Sequence, residues 1–182
     1  STVTIGTDQT DSISLSTTGS ALRIDSSNTT LNARTIALSS SGSDTLSIHE
    51  ASKVFIGNEN TETITITSDA TGGSGFAGIF MRNNGKDAGP TVELKAQTIN
   101  ITTEDSGVWL QNGTQDASTP NNGTHLTISA ENITIDTPNG SGLRVFSNSK
   151  LDVEGNLVIN AKDAIDTRGN SIINVNTSGK YS

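Results

Sequence analysis

The chain has 182 residues, which suits one domain, and it has no cysteine, which excludes a disulfide framework, a cysteine-ligated zinc and a thiol nucleophile. Its formal charge of −8, with only 11 lysines and arginines, makes nucleic acid an unfavourable partner because affinity for phosphate backbones is mostly electrostatic. Serine, threonine, asparagine and glycine make up close to half of the chain, and apolar residues only 31%. This composition is typical of disordered segments or of β-solenoids with a thin core, and disorder should lack periodic apolar residues.

Short apolar–polar–apolar triplets recur along the chain and come in groups of three. The first three groups are Val3-Thr4-Ile5, Ile13-Ser14-Leu15 and Leu22-Arg23-Ile24; Leu31-Asn32-Ala33, Ile36-Ala37-Leu38 and Leu46-Ser47-Ile48; and Val54-Phe55-Ile56, Ile64-Thr65-Ile66 and Ile79-Phe80-Met81. The next three are Val92-Glu93-Leu94, Ile99-Asn100-Ile101 and Val108-Trp109-Leu110; Leu126-Thr127-Ile128, Ile133-Thr134-Ile135 and Leu143-Arg144-Val145; and Leu151-Asp152-Val153, Leu157-Val158-Ile159 and a degraded Ala164-Ile165-Asp166. A seventh group begins at Ile172.

The alternation predicts β-strands that each turn two apolar residues inward and one residue outward. Strands this short are stable only when many of them stack, so the pattern predicts an all-β, right-handed parallel β-helix of about six to seven three-stranded coils. Glycine and serine precede most third triplets, and we expect these glycines to supply positive φ at a corner. A β-sandwich is disfavoured because the triplets are too short for hairpin strands.

Residues 1–182 are therefore predicted to form a single β-helix module. The first coil begins at residue 3 and the last group stops after one strand, so we expect a fragment of a longer rod. No apolar stretch approaches roughly 18 residues, and membrane insertion by this segment is not predicted.

The sequence offers little for catalysis, and no enzyme activity, cofactor or metal is predicted. The two histidines, His49 and His125, lie in different coils. Glu93 and Asp152 fall on one outward column with Thr127 between them, which is not the clustered carboxylate arrangement of carbohydrate-active enzymes. Such an enzyme remains an alternative. Acidic and asparagine-rich turns leave a structural calcium open, although no calcium-loop motif is present.

One outward column stands out because it carries aromatic side chains. Reading the middle residue of each third triplet gives Arg23, Ser47, Phe80, Trp109, Arg144 and Ile165. Exposed tryptophan beside arginine is typical of binding hot spots and of surfaces on which sugars stack. Expanded connections at 67–78, 82–91 and 111–125 adjoin the same strands, where insertions in solenoids often build a binding surface. The predicted ligand-binding residues are Phe80, Arg82, Trp109, Gln111, Asn112 and Arg144.

Two non-enzymatic alternatives stay open beside ligand binding. In the first alternative, the rod is a passive spacer. In the second it associates with another copy along the small, polar column of the second strands, which reads Ser14, Ala37, Thr65, Asn100, Thr134 and Val158.

Repeats such as "LTISAENITIDTPNGSGLRV" and "LDVEGNLVINAKDAIDTRGNSIINV" resemble the passenger domains of Gram-negative bacterial autotransporter adhesins. The resemblance covers nearly the whole chain. It implies an extracellular rod on the bacterial cell surface that attaches to glycans or matrix proteins of host or neighbouring cells, with possible self-association and biofilm formation. The signal peptide and the membrane barrel of that family do not occur in this sequence.

Overall fold

A computed structural model describes residues 1–69, 76–84, 88–112 and 123–177. In these ranges the protein is all-β, with fifteen strands. No helix long and apolar enough to cross a membrane is found among the described residues. Each strand pairs in parallel with its equivalent in the next coil, so one sheet winds around an axis as a parallel β-helix. The predicted fold class is confirmed.

The winding sheet has three faces. Two long strands, β13 (His125–Phe146) and β14 (Lys150–Arg168), run round both corners and contribute to all three. The first face also contains β1 (Thr2–Gly6), β4 (Asn28–Asn32), β7 (Lys53–Ile56), β10 (Thr91–Lys95) and β15 (Ile172–Asn176). The second contains β2 (Ser12–Thr17), β5 (Thr35–Ser40), β8 (Thr63–Ser68) and β11 (Thr98–Thr103). The third contains β3 (Leu22–Asp25), β6 (Leu46–His49), β9 (Ala77–Asn83) and β12 (Ser106–Asn112).

The described residues form six three-stranded coils and one strand of a seventh. The core is a set of inward columns, and on the first face Leu31, Ile56 and Leu94 stack in register and are fully buried. Burying one such side chain stabilises the fold by about 1.5–3 kcal/mol. Very short strands suffice because each apolar residue is covered by the coils above and below it.

The predicted strand positions are correct at most triplets and wrong at two. In the second coil the strand triplet is Thr29-Thr30-Leu31 rather than Leu31-Asn32-Ala33, since Val3 pairs with Thr29 and Ile5 with Leu31; Ala33 is buried as predicted but lies beyond the strand. Thr29 is 5% exposed. Because the inward residue at this position is a threonine, a search for apolar–polar–apolar triplets does not detect the start of this strand. In the sixth coil Asp166, rather than Ile165, pairs with Arg144 and occupies the outward column.

Glycine has a different role at the corners from the one predicted. The positive-φ glycines Gly6, Gly57 and Gly155 lie at the corner between the first and second faces, whereas Gly107 and Gly142 before the third face do not have positive φ. Instead, a Cβ at either of those two positions would collide with the next coil. Glycine is needed there for close approach of coils, and the predicted conformational reason is wrong.

Candidate functional site

The outward surface of the third face contains two adjacent columns, which we call the third-face columns. In coil order, the first is Arg23, Ser47, Phe80, Trp109, Arg144 and Asp166. The second column lies two residues further along each strand and comprises Asp25, His49, Arg82, Gln111, Phe146 and Arg168. In the first five coils the residue between the two columns is buried in the core, which turns both columns outward; in the sixth coil that residue, Thr167, is exposed.

Four rings form an edge-to-face ladder across these columns. The ring centroids of His49 and Phe80 are 5.8 Å apart, those of Phe80 and Trp109 are 5.5 Å apart, and those of Trp109 and Phe146 are 6.4 Å apart. Interplanar angles of 66–75° match the arrangement that aromatic quadrupoles prefer. Each such pair contributes about 0.5–1.5 kcal/mol beyond its buried area. The ladder therefore presents a rigid aromatic surface along four successive coils.

Arginine side chains lie over the last two rings of the ladder. The guanidinium carbon of Arg144 is 5.3 Å from the Trp109 ring centroid, and that of Arg168 is 4.8 Å from the Phe146 ring centroid. Arg144 also forms a loose ion pair with Asp105 at 3.9 Å, and Arg168 pairs with Asp166 at 3.0 Å. Both guanidinium groups are thus held against aromatic rings by cation–π attraction and a carboxylate.

Three nitrogen donors on this face are buried and have no hydrogen-bond partner among the described residues. They are Nε of Arg82, Nε1 of Trp109 and Nε of Arg144. They come from three successive coils, which are spaced about 4.8 Å apart. Buried polar atoms in proteins are almost always paired, so these three donors are exceptions, and they lie within packed side chains beneath the outer surface.

His49 completes the ladder, and its surroundings disfavour the charged form of its ring. Burial lowers the pKa of His49, and the positive charges of Arg23 and Arg82 lower it further against the opposing effect of Asp25. Its Nε2 lies 2.9 Å from Oγ of Ser47, which fixes the ring. A neutral imidazole avoids adding charge repulsion beside the two arginines.

Five of the six predicted ligand-binding residues lie on the third-face columns: Phe80, Arg82, Trp109, Gln111 and Arg144. Asn112 instead occupies an inward position and is 4% exposed, in register with Asn83. The expanded connections at 67–78, 82–91 and 111–125 include residues 70–75, 85–87 and 113–122, which lie outside the described residues. Their arrangement around the site stays a prediction.

Sequence reasoning missed three members of the site: His49, Phe146 and Arg168. His49 and Phe146 lie two residues after predicted outward positions, so alternation would have placed both on the same surface, and reading only the middle residue of each triplet missed them. Arg168 could not be found in this way, because it follows Asp166, whose register the triplet pattern assigned wrongly.

The first face carries a separate polar cluster around Asp152. Its carboxylate is 2.6 Å from Nζ of Lys150, 2.7 Å from Nε2 of His125, and accepts a 2.7 Å hydrogen bond from Asn174. Partial burial by itself would raise the pKa of Asp152, but these hydrogen bonds outweigh it and lower the pKa to about 2. His125 and Glu93 also line a small cavity of about 190 Å³. Within the described ranges, no three acidic or histidine side chains are arranged to hold a metal ion.

A groove of about 420 Å³ lies at the corner between the first and second faces. Its lining includes the carboxylates of Glu59, Glu131 and Glu154, and Lys95 is 3.5 Å from Glu59. The lining contains no aromatic side chain. It therefore lacks the stacking surface that the third face provides.

Comparison with known proteins adds no further constraint: no family model, curated protein or solved structure matches this chain. The geometry defines the chain as a parallel β-helix with an aromatic and arginine-rich outer face.

Proposed function

We propose that this chain is a segment of a bacterial surface adhesin that attaches to a glycan or matrix protein through its third face. The observation that carries the proposal is the ring ladder of His49, Phe80, Trp109 and Phe146 with Arg144 and Arg168 stacked on it. Tryptophan and arginine dominate hot spots because they combine large contact area with directional polar groups. The resemblance of the repeats to autotransporter passengers supports an extracellular location and a possible role in biofilm formation.

The third face is better suited to a ligand than to a spacer role. A spacer needs only a solvated surface, yet this face holds rings and guanidinium groups in fixed contact and leaves donors unpaired. The second-face column, from Ser14 to Val158, is in the predicted register and remains the alternative surface for self-association. A catalytic role for the Asp152 cluster is the second alternative.

Replacing Trp109 by alanine tests the proposal. Phe55→Ala is the matched control, because Phe55 is an outward aromatic, 46% exposed, on the first face. Fluorescent beads coated with each protein are applied to a printed glycan array and to immobilised fibronectin and collagen. We expect Trp109→Ala to weaken binding by about 30-fold, which corresponds to about 2 kcal/mol, and Phe55→Ala to leave it unchanged.

The stability of each variant must be measured beside binding. Trp109→Ala removes two edge-to-face contacts and should cost about 1–3 kcal/mol of unfolding free energy. Binding is therefore compared at a temperature where all proteins are fully folded. Unchanged binding by folded Trp109→Ala protein contradicts the proposal, as does a loss that follows only the folded fraction. A rod that binds no surface in either form favours the spacer.

A further inference from the structure

We propose that the ligand of the third face is an oligosaccharide bearing carboxylate groups, whose acidic oxygens bind along Arg82, Trp109 and Arg144. This inference rests on the proposed function and names its ligand class. It follows from three features of the face: the kind of unpaired atoms, the charge, and the absence of a free strand edge.

The unpaired atoms in the middle of the ladder are all donors. Nε of Arg82, Nε1 of Trp109 and Nε of Arg144 are buried donors with no partner among the described residues, and none of them can accept a hydrogen bond. Leaving one such donor unpaired costs about 1–3 kcal/mol, and a ligand acceptor recovers that free energy when the side chain shifts to expose its N–H group. The unpaired acceptor closest in sequence to the ladder is Oε2 of Glu50, the residue after His49. The other carboxylate oxygen of Glu50 accepts a hydrogen bond from Asn84. Because the polar groups of these three side chains are donors only, they favour an acceptor-rich ligand.

Within the third-face columns, the charge is opposite in sign to that of the whole chain. The third-face columns contain four arginines and two aspartates, a formal charge of +2, on a chain with a formal charge of −8. Four of the five arginines in the sequence lie in these columns. Among the described residues, Arg23 and Arg82 take part in none of the salt bridges, and the pair of Arg144 with Asp105 is long at 3.9 Å. Guanidinium groups that have no close ion-pair partner are suited to bidentate binding of a carboxylate.

The ring ladder favours a sugar over an acidic peptide. Sugar rings present C–H groups that pack on aromatic faces while their substituents reach neighbouring polar groups. A peptide binding to a β-sheet usually adds a strand at a free edge, but β9 and β12 are paired on both sides. The third face therefore has no free edge beside Phe80 or Trp109. An acidic ligand with rings fits the surface better than one with an extended backbone.

The test compares each acidic sugar with its neutral methyl ester. The probes are 3′-sialyllactose and tetragalacturonate, each as free acid and as methyl ester, and a deca-glutamate peptide. Binding is measured by calorimetry with the wild-type chain, Arg82→Gln, Arg144→Gln and Trp109→Ala. The matched control is Arg34→Gln, because Arg34 has a side chain 58% exposed and lies outside the third face. Thermal unfolding verifies that each variant is folded.

We expect at least one free acid to bind about tenfold or more tightly than its ester, with affinity falling as salt rises. Arg82→Gln and Arg144→Gln should each abolish most of that preference without weakening the ester, and Arg34→Gln should change neither. Equal binding of acid and ester, lost in Trp109→Ala, overturns this inference and leaves the adhesin proposal standing. Binding of deca-glutamate without either sugar also overturns it. If the chain binds none of the sugars, the peptide or the surfaces in the bead assay, both the adhesin proposal and the proposed ligand class are refuted.

Discussion

Gly107→Ala tests whether close coil packing sets the position of the candidate site. Gly107 precedes Val108 and Trp109 at the start of the third face, and its φ is not positive, so alanine strains no backbone angle. The added Cβ would collide with Cγ2 of Ile135 and lie 2.7 Å from the carbonyl oxygen of Gly142. Backbone cannot yield as easily as a flexible side chain, so the fourth and fifth coils must separate.

The expected cost comes from two opposing effects. Overpacking a well-packed core destabilises by about 1–3 kcal/mol, while replacing glycine by alanine stabilises by about 0.4–1 kcal/mol through the unfolded chain. The net loss of about 1–2 kcal/mol should lower Tm by roughly 2–8 °C in a chain of this size. Trp109 is the only tryptophan, so its fluorescence reports any change in its contact with Phe80 directly.

Two further glycines make this a graded series measured by circular dichroism melting and tryptophan fluorescence. A Cβ at Gly78 would lie 2.8 Å from Ile101 Cγ2 and 3.0 Å from the carbonyl oxygen of Gly107, a milder overlap, so Gly78→Ala should cost less. A Cβ at Gly19 meets no atom within 4 Å, so Gly19→Ala should be neutral or slightly stabilising. Equal melting temperatures for all three variants would refute the packing argument.

Two pH-dependent predictions follow from carboxylates outside the site, each measured by chemical unfolding of wild type and variant across pH. Burial raises the pKa of Asp44 from 3.8 to about 6 against a hydrogen bond from Ala77, so its stabilising contribution is complete below about pH 4 and is lost as pH rises through 6. Asp44→Asn should therefore gain about 1–2 kcal/mol over wild type at pH 7.5, after allowance for solvent screening, and nothing at pH 4; a constant difference would contradict this. Asp152 shows the opposite sign, because its pKa is lowered to about 2 and its contribution is lost as pH falls toward that value. Asp152→Asn should cost about 1 kcal/mol at pH 7, because the side chains of Lys150 and His125 are about two-fifths exposed, and nothing near pH 2; a loss that persists in acid would mean that packing is responsible.

The amino-acid sequence determined the architecture because the relevant signal is local. Alternation within a triplet decides which side chains turn inward, so Val108 and Leu110 could be assigned to the core and Trp109 to the surface from their order alone. The repetition of triplets in groups of three then required a parallel β-helix. Five of the six predicted binding residues lie on one face for the same reason: their strands occupy equivalent places in successive coils.

Only the tertiary structure decided which residues meet between coils, because that depends on register between segments about 20 to 35 residues apart. Asp166, rather than Ile165, faces Arg144, and the ring of Phe146 contacts Trp109 from the neighbouring column. The inward position of Asn112 and the burial of Thr29 were also decided only by the tertiary structure. A polar residue can occupy an inward column when stacked coils bury it and satisfy its hydrogen bonds, and no local pattern records that. The unpaired donors of the third face are likewise a property of how coils pack, since each depends on what its neighbours in adjacent coils provide.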